Sequence, residues 1–121
     1  MNNPILTDSQ KNIIHNCLLD LRDSSSLKNP SFLPPALDSL LNSQGFGIEM
    51  SGIYISTDDD QDNIPEYLQE GIAFEFMDDH VTLSIEDGIT CIINWCKENA
   101  TLNCEKTTSK IEKLKEKFLT K

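Results

Sequence analysis

The stretch Tyr67–Asn99, YLQEGIAFEFMDDHVTLSIEDGITCIINWCKEN, decides how the rest of the chain must be arranged. Ile72, Phe74 and Phe76 alternate with Ala73, Glu75 and Met77, while Val81, Leu83 and Ile85 alternate with His80, Thr82 and Ser84. A period of two puts each apolar set on one face of a sheet. The two runs predict an antiparallel hairpin with Asp78 and Asp79 at its tip. Asp-Asp is a poorer turn dipeptide than Asn-Gly, which leaves a longer loop open. The period then changes, and Ile85, Ile89, Ile92, Ile93 and Cys96 fall on one helical stripe. Ser84, three residues before Asp87, predicts the N-cap, and acidic residues in the first turn suit the positive end of the helix dipole. One segment thus supplies a sheet face and the helix that covers it.

Working outward, Thr7 or Asp8 can cap an N-terminal helix running to about Asp23, with Ile13, Ile14, Cys17, Leu18 and Leu21 on its buried face. Residues 1 to 6 read as a loose lead, and Ser24 to Ser26 as the helix end. His15 sits beside the apolar face and reads as a surface or packing residue. Pro34-Pro35 opens a short middle helix, because the first turn tolerates proline. Ala36, Leu37, Leu40 and Leu41 give it a stripe, and Gly45 is expected to end it. In Gly47–Ser56, Ile48 and Met50 share one parity and Ile53 and Ile55 the other. That switch predicts a β-bulge or a short two-strand bend, and a bulged strand pairing with the hairpin is favoured. Beyond the hairpin helix, Thr101 to Asn103 reads as a break and Thr107 to Ser109 as the cap of a last helix. Ile111, Leu114, Phe118 and Leu119 form its stripe, and lysines and glutamates cover the rest. The whole predicts one domain, residues 1–121. It is of the α+β class: a small antiparallel sheet of three or four strands with the central hairpin at 71–85. Around that sheet pack N-terminal, middle and C-terminal helices, the last over 105–121.

The formal net charge is −10, and its placement matters more than its size. No Lys or Arg occurs between Asn29 and Cys96, a stretch holding 13 of the 20 acidic residues, whereas 7 of the 10 basic residues lie from Lys97 onward. A negative middle disfavours nucleic acid and anionic membranes and favours a basic partner. No apolar run nears the roughly 20 residues needed to span a bilayer. The first ten residues, MNNPILTDSQ, lack a secretion pattern, so a cytoplasmic location is expected. In that compartment Cys17, Cys91, Cys96 and Cys104 read as reduced, small apolar groups.

Catalytic constellations are missing from the sequence. It holds no Gly-x-Ser-x-Gly, phosphate loop, dinucleotide fingerprint or zinc spacing. Asp58, Asp60 and Asp62 alternate as in a calcium loop, but Asn63 occupies the glycine position and Gln69 the terminal glutamate position. No metal or cofactor is therefore expected. His80 beside Asp78 and Asp79 is the one conceivable acid–base pair. The expectation is a non-enzymatic binding protein.

The segment EGIAFEFMDDHVTLSIEDGITCIINWCKEN resembles a family of bacterial immunity proteins from contact-dependent growth inhibition systems, the ribonuclease toxin immunity proteins. The likeness covers about residues 64 to 99. It lies in an acidic loop, the Tyr67-Leu68-x-Glu70-Gly71 lead-in, the Phe74-x-Phe76 strand, an acidic tip and the Ser84-x-Glu86-Asp87 helix start. The chain departs from it at Gly88-Ile89, where the family has an aromatic residue, and at Trp95-Cys96, where it has tyrosine. The resemblance implies a protein that binds the C-terminal nuclease toxin domain of a cognate effector, in a 1:1 complex, and occludes its basic cleft. An acidic surface suits that task, since it imitates phosphate charge without a cleavable bond. The candidate toxin-binding residues of this chain are Asp58, Asp59, Asp60, Asp62, Glu66, Tyr67, Glu70, Asp78 and Asp79, with Tyr67 and Tyr54 as candidate aromatic anchors. The alternative is an acidic nucleic-acid mimic that inhibits some other nucleic-acid-binding protein.

Overall fold

The computed structural model describes residues 6–24, 31–99 and 104–119, with side chains of the last segment from residue 108. The elements are α1 (Asp8–Asp23), α2 (Leu33–Leu41), β1 (Phe46–Gly47), β2 (Ser51–Ile55), β3 (Ile72–Phe76), β4 (Asp79–Leu83), α3 (Ile85–Asn99) and α4 (Cys104–Leu114). A π-helical turn, Lys115–Leu119, extends α4. The architecture is α+β, with a four-stranded antiparallel sheet in the order β1-β2-β3-β4.

Alternation in the sequence becomes the two faces of this sheet. The inner face carries the cross-strand rows Phe46–Ile53–Phe74–Val81 and Ile55–Ile72–Leu83. Ile53, Ile55, Ile72 and Phe74 are fully buried there with Leu18 and Leu21 of α1 and Ile89, Ile92 and Ile93 of α3. Truncating a side chain such as Phe74 at a site of this kind costs about 3–5 kcal/mol. Gly88 lets α3 come down on β3, because a Cβ there would lie 2.9 Å from Ile72 Cβ. α4 closes the helical side by packing on α2, with Ile111 and Leu114 buried.

The caps explain where the helices begin. Thr7 Oγ1 accepts from the Gln10 amide at 3.1 Å, and Gln10 Oε1 accepts from the Thr7 amide at 2.9 Å, a reciprocal capping box. Ser84 Oγ accepts from the Asp87 amide at 3.1 Å, as its position predicts. Pro34 and Pro35 lie in the first turn of α2, where an amide has no helical acceptor.

Several expectations need correction. Gly47–Ser56 is not one bulged strand: it is the two-strand bend, with β1 and β2 joined by a tight turn in which the Ile48 amide donates to the Ser51 carbonyl at 2.7 Å. The parity switch is that turn. The β3–β4 loop is Met77–Asp78, one residue earlier than predicted, because Asp79 pairs with Phe76. Ile85 opens α3 instead of extending β4. α2 ends through Ser43 in the left-handed region (φ 56°), not through Gly45. The last helix runs through Thr107–Ser109 from Cys104, so those residues do not cap it. Of the expected loose lead over residues 1 to 6, Leu6 packs against the core, and the rest, like the break at 101–103, lies outside the described residues.

Candidate functional site

The acidic loop between β2 and β3 is built on its own backbone. Ser56 anchors it: its amide donates to the Gly71 carbonyl at 3.0 Å and its Oγ accepts from the Gly71 amide at 2.9 Å. Asp58 is only 7% exposed. Its Oδ2 accepts from the Gly45 amide and its Oδ1 from the Asp60 amide, each at 2.8 Å. Burial alone would raise its pKa, but these amides and the Asn63 side chain outweigh burial and hold it below the ordinary value. Asp58 therefore ties the loop to the segment before β1. Asp59, Asp60 and Asp62 are exposed, as are Glu66 and Glu70. Asp60 Oδ1 also accepts from the Asp62 amide at 3.0 Å, shaping the short 3-10 turn at Gln61–Asn63.

The same loop folds back across the outer face of the sheet. That face carries the rows Gly47–Gly52–Glu75–His80 and Tyr54–Ala73–Thr82. The Tyr67 hydroxyl donates to Glu75 Oε2 at 2.5 Å, and its ring stacks on His80 with centroids 3.8 Å apart. Burial, followed by the Glu75 hydrogen bond and charge, raises the Tyr67 pKa well above that of a free phenol. Tyr54 is half-buried in a bed made by glycines: a Cβ on Gly47 or Gly52 would stand 2.6 Å from its phenolic oxygen. Burial and then the Glu75 charge raise its pKa too. Tyr54 is thus bedded on the sheet, while Tyr67 remains 37% exposed. His80 stacks on Tyr67 and lies across the strands from Glu75.

These positions divide the sequence-predicted site. Ile55 pairs with Ile72 at one end of β2 and β3, and Ser51 with Phe76 at the other. Four residue steps at about 3.3 Å each separate the ends by about 13 Å. Asp58, Asp59, Asp60, Asp62 and Glu70 belong to the first end. Asp78 and Asp79, both exposed, belong to the second. Tyr67, with its neighbour Glu66, is carried toward the second end, because the Glu75–His80 row lies beside the Phe76–Asp79 pair.

Sequence reading missed two neighbours at the second end, Met50 and Met77. They are 48% and 65% exposed, and the Met77 amide donates to the Met50 carbonyl at 2.7 Å. The available signal was the parity break around Met50 and the place of Met77 beside the turn.

Three of the described cations are engaged by named partners. Lys110 pairs with Asp38 of α2 at 2.6 Å, and Lys117 donates to the Leu41 carbonyl. Arg22 is held by Asp23 at 2.8 Å and by the Asn99 carbonyl at 2.6 Å, and lies 5.7 Å from the Trp95 ring. The Trp95 indole donates to His15 Nδ1 at 2.9 Å, which gives that histidine a packing role. Cys17 and Cys96 are buried thiols with pKa values pushed up to about 12, chiefly by burial. Among the described residues no group of three or more His, Cys, Asp or Glu is placed to hold a metal ion, and no helix is long and apolar enough to cross a membrane. Compared with known protein families, curated proteins and solved structures, the chain matches none.

Proposed function

We propose that this protein is a cytoplasmic immunity protein. It binds the basic C-terminal nuclease toxin domain of a cognate contact-dependent growth inhibition effector, one that cuts RNA. It does so without catalysis of its own, as a 1:1 complex that occludes the cleft. The observation carrying this reading is the distribution of charge over the fold. Every strand, both ends of the sheet and the loop over its outer face lie in the stretch without Lys or Arg, while Lys110 of α4 pairs with Asp38 of α2 and Lys117, in the turn that follows, donates to the Leu41 carbonyl. Such a surface speeds encounter with a cationic cleft and rejects anionic competitors; buried apolar contacts would set the lifetime of the complex. The resemblance of residues 64–99 to immunity proteins supplies the class of partner. The test pairs the purified protein with the C-terminal domain encoded by the gene directly upstream. An equimolar amount should abolish RNA cleavage by that domain, and the protein alone should turn nothing over. Persistent cleavage at equimolar dose rejects the reading.

Carboxylates at both ends of the sheet also favour the second reading, a nucleic-acid mimic, since they spread negative charge as a nucleic-acid backbone does. A neighbouring gene encoding a DNA- or RNA-binding protein with no toxin domain, inhibited by this chain, would select it.

A further inference from the structure

We propose that the end of the sheet where the β1–β2 and β3–β4 turns meet is the docking surface, and that a basic loop of the partner, carrying an apolar side chain flanked by lysine or arginine, seats there. This rests on the binding reading above and adds to it the face and the chemistry of the contact.

Two observations carry it independently. The first is the shape and composition of that end. Met50 and Met77 issue from adjacent, hydrogen-bonded points of the backbone and expose about half and two-thirds of their surface. Beside them lie two concavities. One, of about 370 Å³, sets Phe32, Ile48 and Met50 against Asp20 and Glu49. The other, of about 210 Å³, sets Leu19 and Phe76 against Asp20 and Asp23. An apolar centre with a polar rim is the anatomy of a binding face, and methionine adapts to the side chain it meets.

The second observation is the backbone of Met77, which is left-handed (φ 58°). A two-residue hairpin loop favours glycine or asparagine at such a position. Methionine neither relieves the strain nor buries its side chain in return. A residue that breaks the local rule with no gain to the folded state marks a position kept for another purpose.

Charge selects the occupant. Asp78 follows Met77 in the turn, Asp79 opens β4, and both are exposed; Glu49 precedes Met50. Asp23 is neutralised by Arg22, and Asp20 accepts from Ser51 and Ser24. The remaining carboxylates have no cation in their own stretch of chain. A second copy of this chain would bring the same negative rim against itself, and an anionic ligand would meet the same repulsion. A basic partner is complementary on both counts.

The chain has three methionines, so methyl-13C-methionine labelling gives three signals, assigned with single Met→Leu variants. The probe is the C-terminal domain encoded directly upstream. At one equivalent the Met50 and Met77 signals should shift or broaden. The double variant Met50→Ala, Met77→Asn should bind about tenfold or more weakly, with a melting temperature unchanged or raised, since asparagine suits the left-handed turn. Two results overturn the proposed face while leaving the binding reading intact: unmoved signals in a formed complex, or a double variant that binds like the parent. Signals that shift with the protein's own concentration alone overturn it in favour of self-association. A parent protein that does not bind the domain removes the binding reading, and the docking face with it.

Discussion

Replacing Asp58 separates a structural role for the acidic loop from a contact role. The carboxylate is almost fully buried and accepts two backbone amides at 2.8 Å, from Gly45 and Asp60. A hydrogen bond to a charged group contributes about 1.5–3 kcal/mol net. The desolvation of the carboxylate offsets part of the pair, so Asp58→Ala should lose about 2–4 kcal/mol. Asp58→Asn keeps one acceptor oxygen and should lose about half as much. For a chain of this size each kcal/mol moves the melting temperature by roughly 3–6 °C. The assay is thermal and urea unfolding followed by circular dichroism, repeated down the pH scale. The folded pKa of Asp58 lies below its ordinary value of 3.8. Its stabilisation is therefore complete above that value and is lost as pH falls through the lower, folded one. The gap between the parent and Asp58→Asn should accordingly be full at pH 7 and close in strong acid. An Asp58→Ala protein melting within about 1 °C of the parent, or a gap undiminished at the acid end, refutes the assignment.

Gly71→Ala should be the most damaging single change in the loop. Its φ is 116°, and a Cβ there would lie 2.0 Å from the Leu83 carbonyl oxygen; a loss of about 3 kcal/mol or more is expected, read as a lowered urea midpoint. Both tyrosines should ionise at higher pH than free tyrosine, read as absorbance near 295 nm, and Tyr67→Phe should remove one of the two steps; a full rise at about pH 10 contradicts the Tyr67–Glu75 contact. If the proposed function holds, association with the domain encoded directly upstream should slow markedly from low to physiological salt. Reversing Asp59 and Asp62 to lysine, sparing Asp58 and the capping Asp60, should slow association without changing the melting temperature, and an unchanged rate removes that loop from the steering surface.

What the sequence revealed depended on the range of the interaction. The hairpin, the caps at Thr7 and Ser84 and the proline start of α2 are local rules, written within a few residues of where they act. The split of Gly47–Ser56 into two strands was half legible. Parity marked the break, but only the pairing of Phe46 with Ile53 distinguishes a turn from a bulge. The turn at Met77 was hidden because its residue type argues against a turn. Counting charges could not tell Asp58 from Asp59: what separates them is a carboxylate aimed at the Gly45 amide 13 residues earlier. Tyr67, Glu75 and His80 were likewise beyond reach, since a loop must first fold back over the sheet before ring and carboxylate meet.

The strand order has a consequence for how the molecule comes into being. Each strand pairs only with its neighbours in the chain, so the sheet assembles by closing short segments, the least costly in chain entropy and the fastest to form. The clasp of Lys110 onto Asp38, 72 residues apart, closes a far longer loop than any strand pairing and so costs more chain entropy to form.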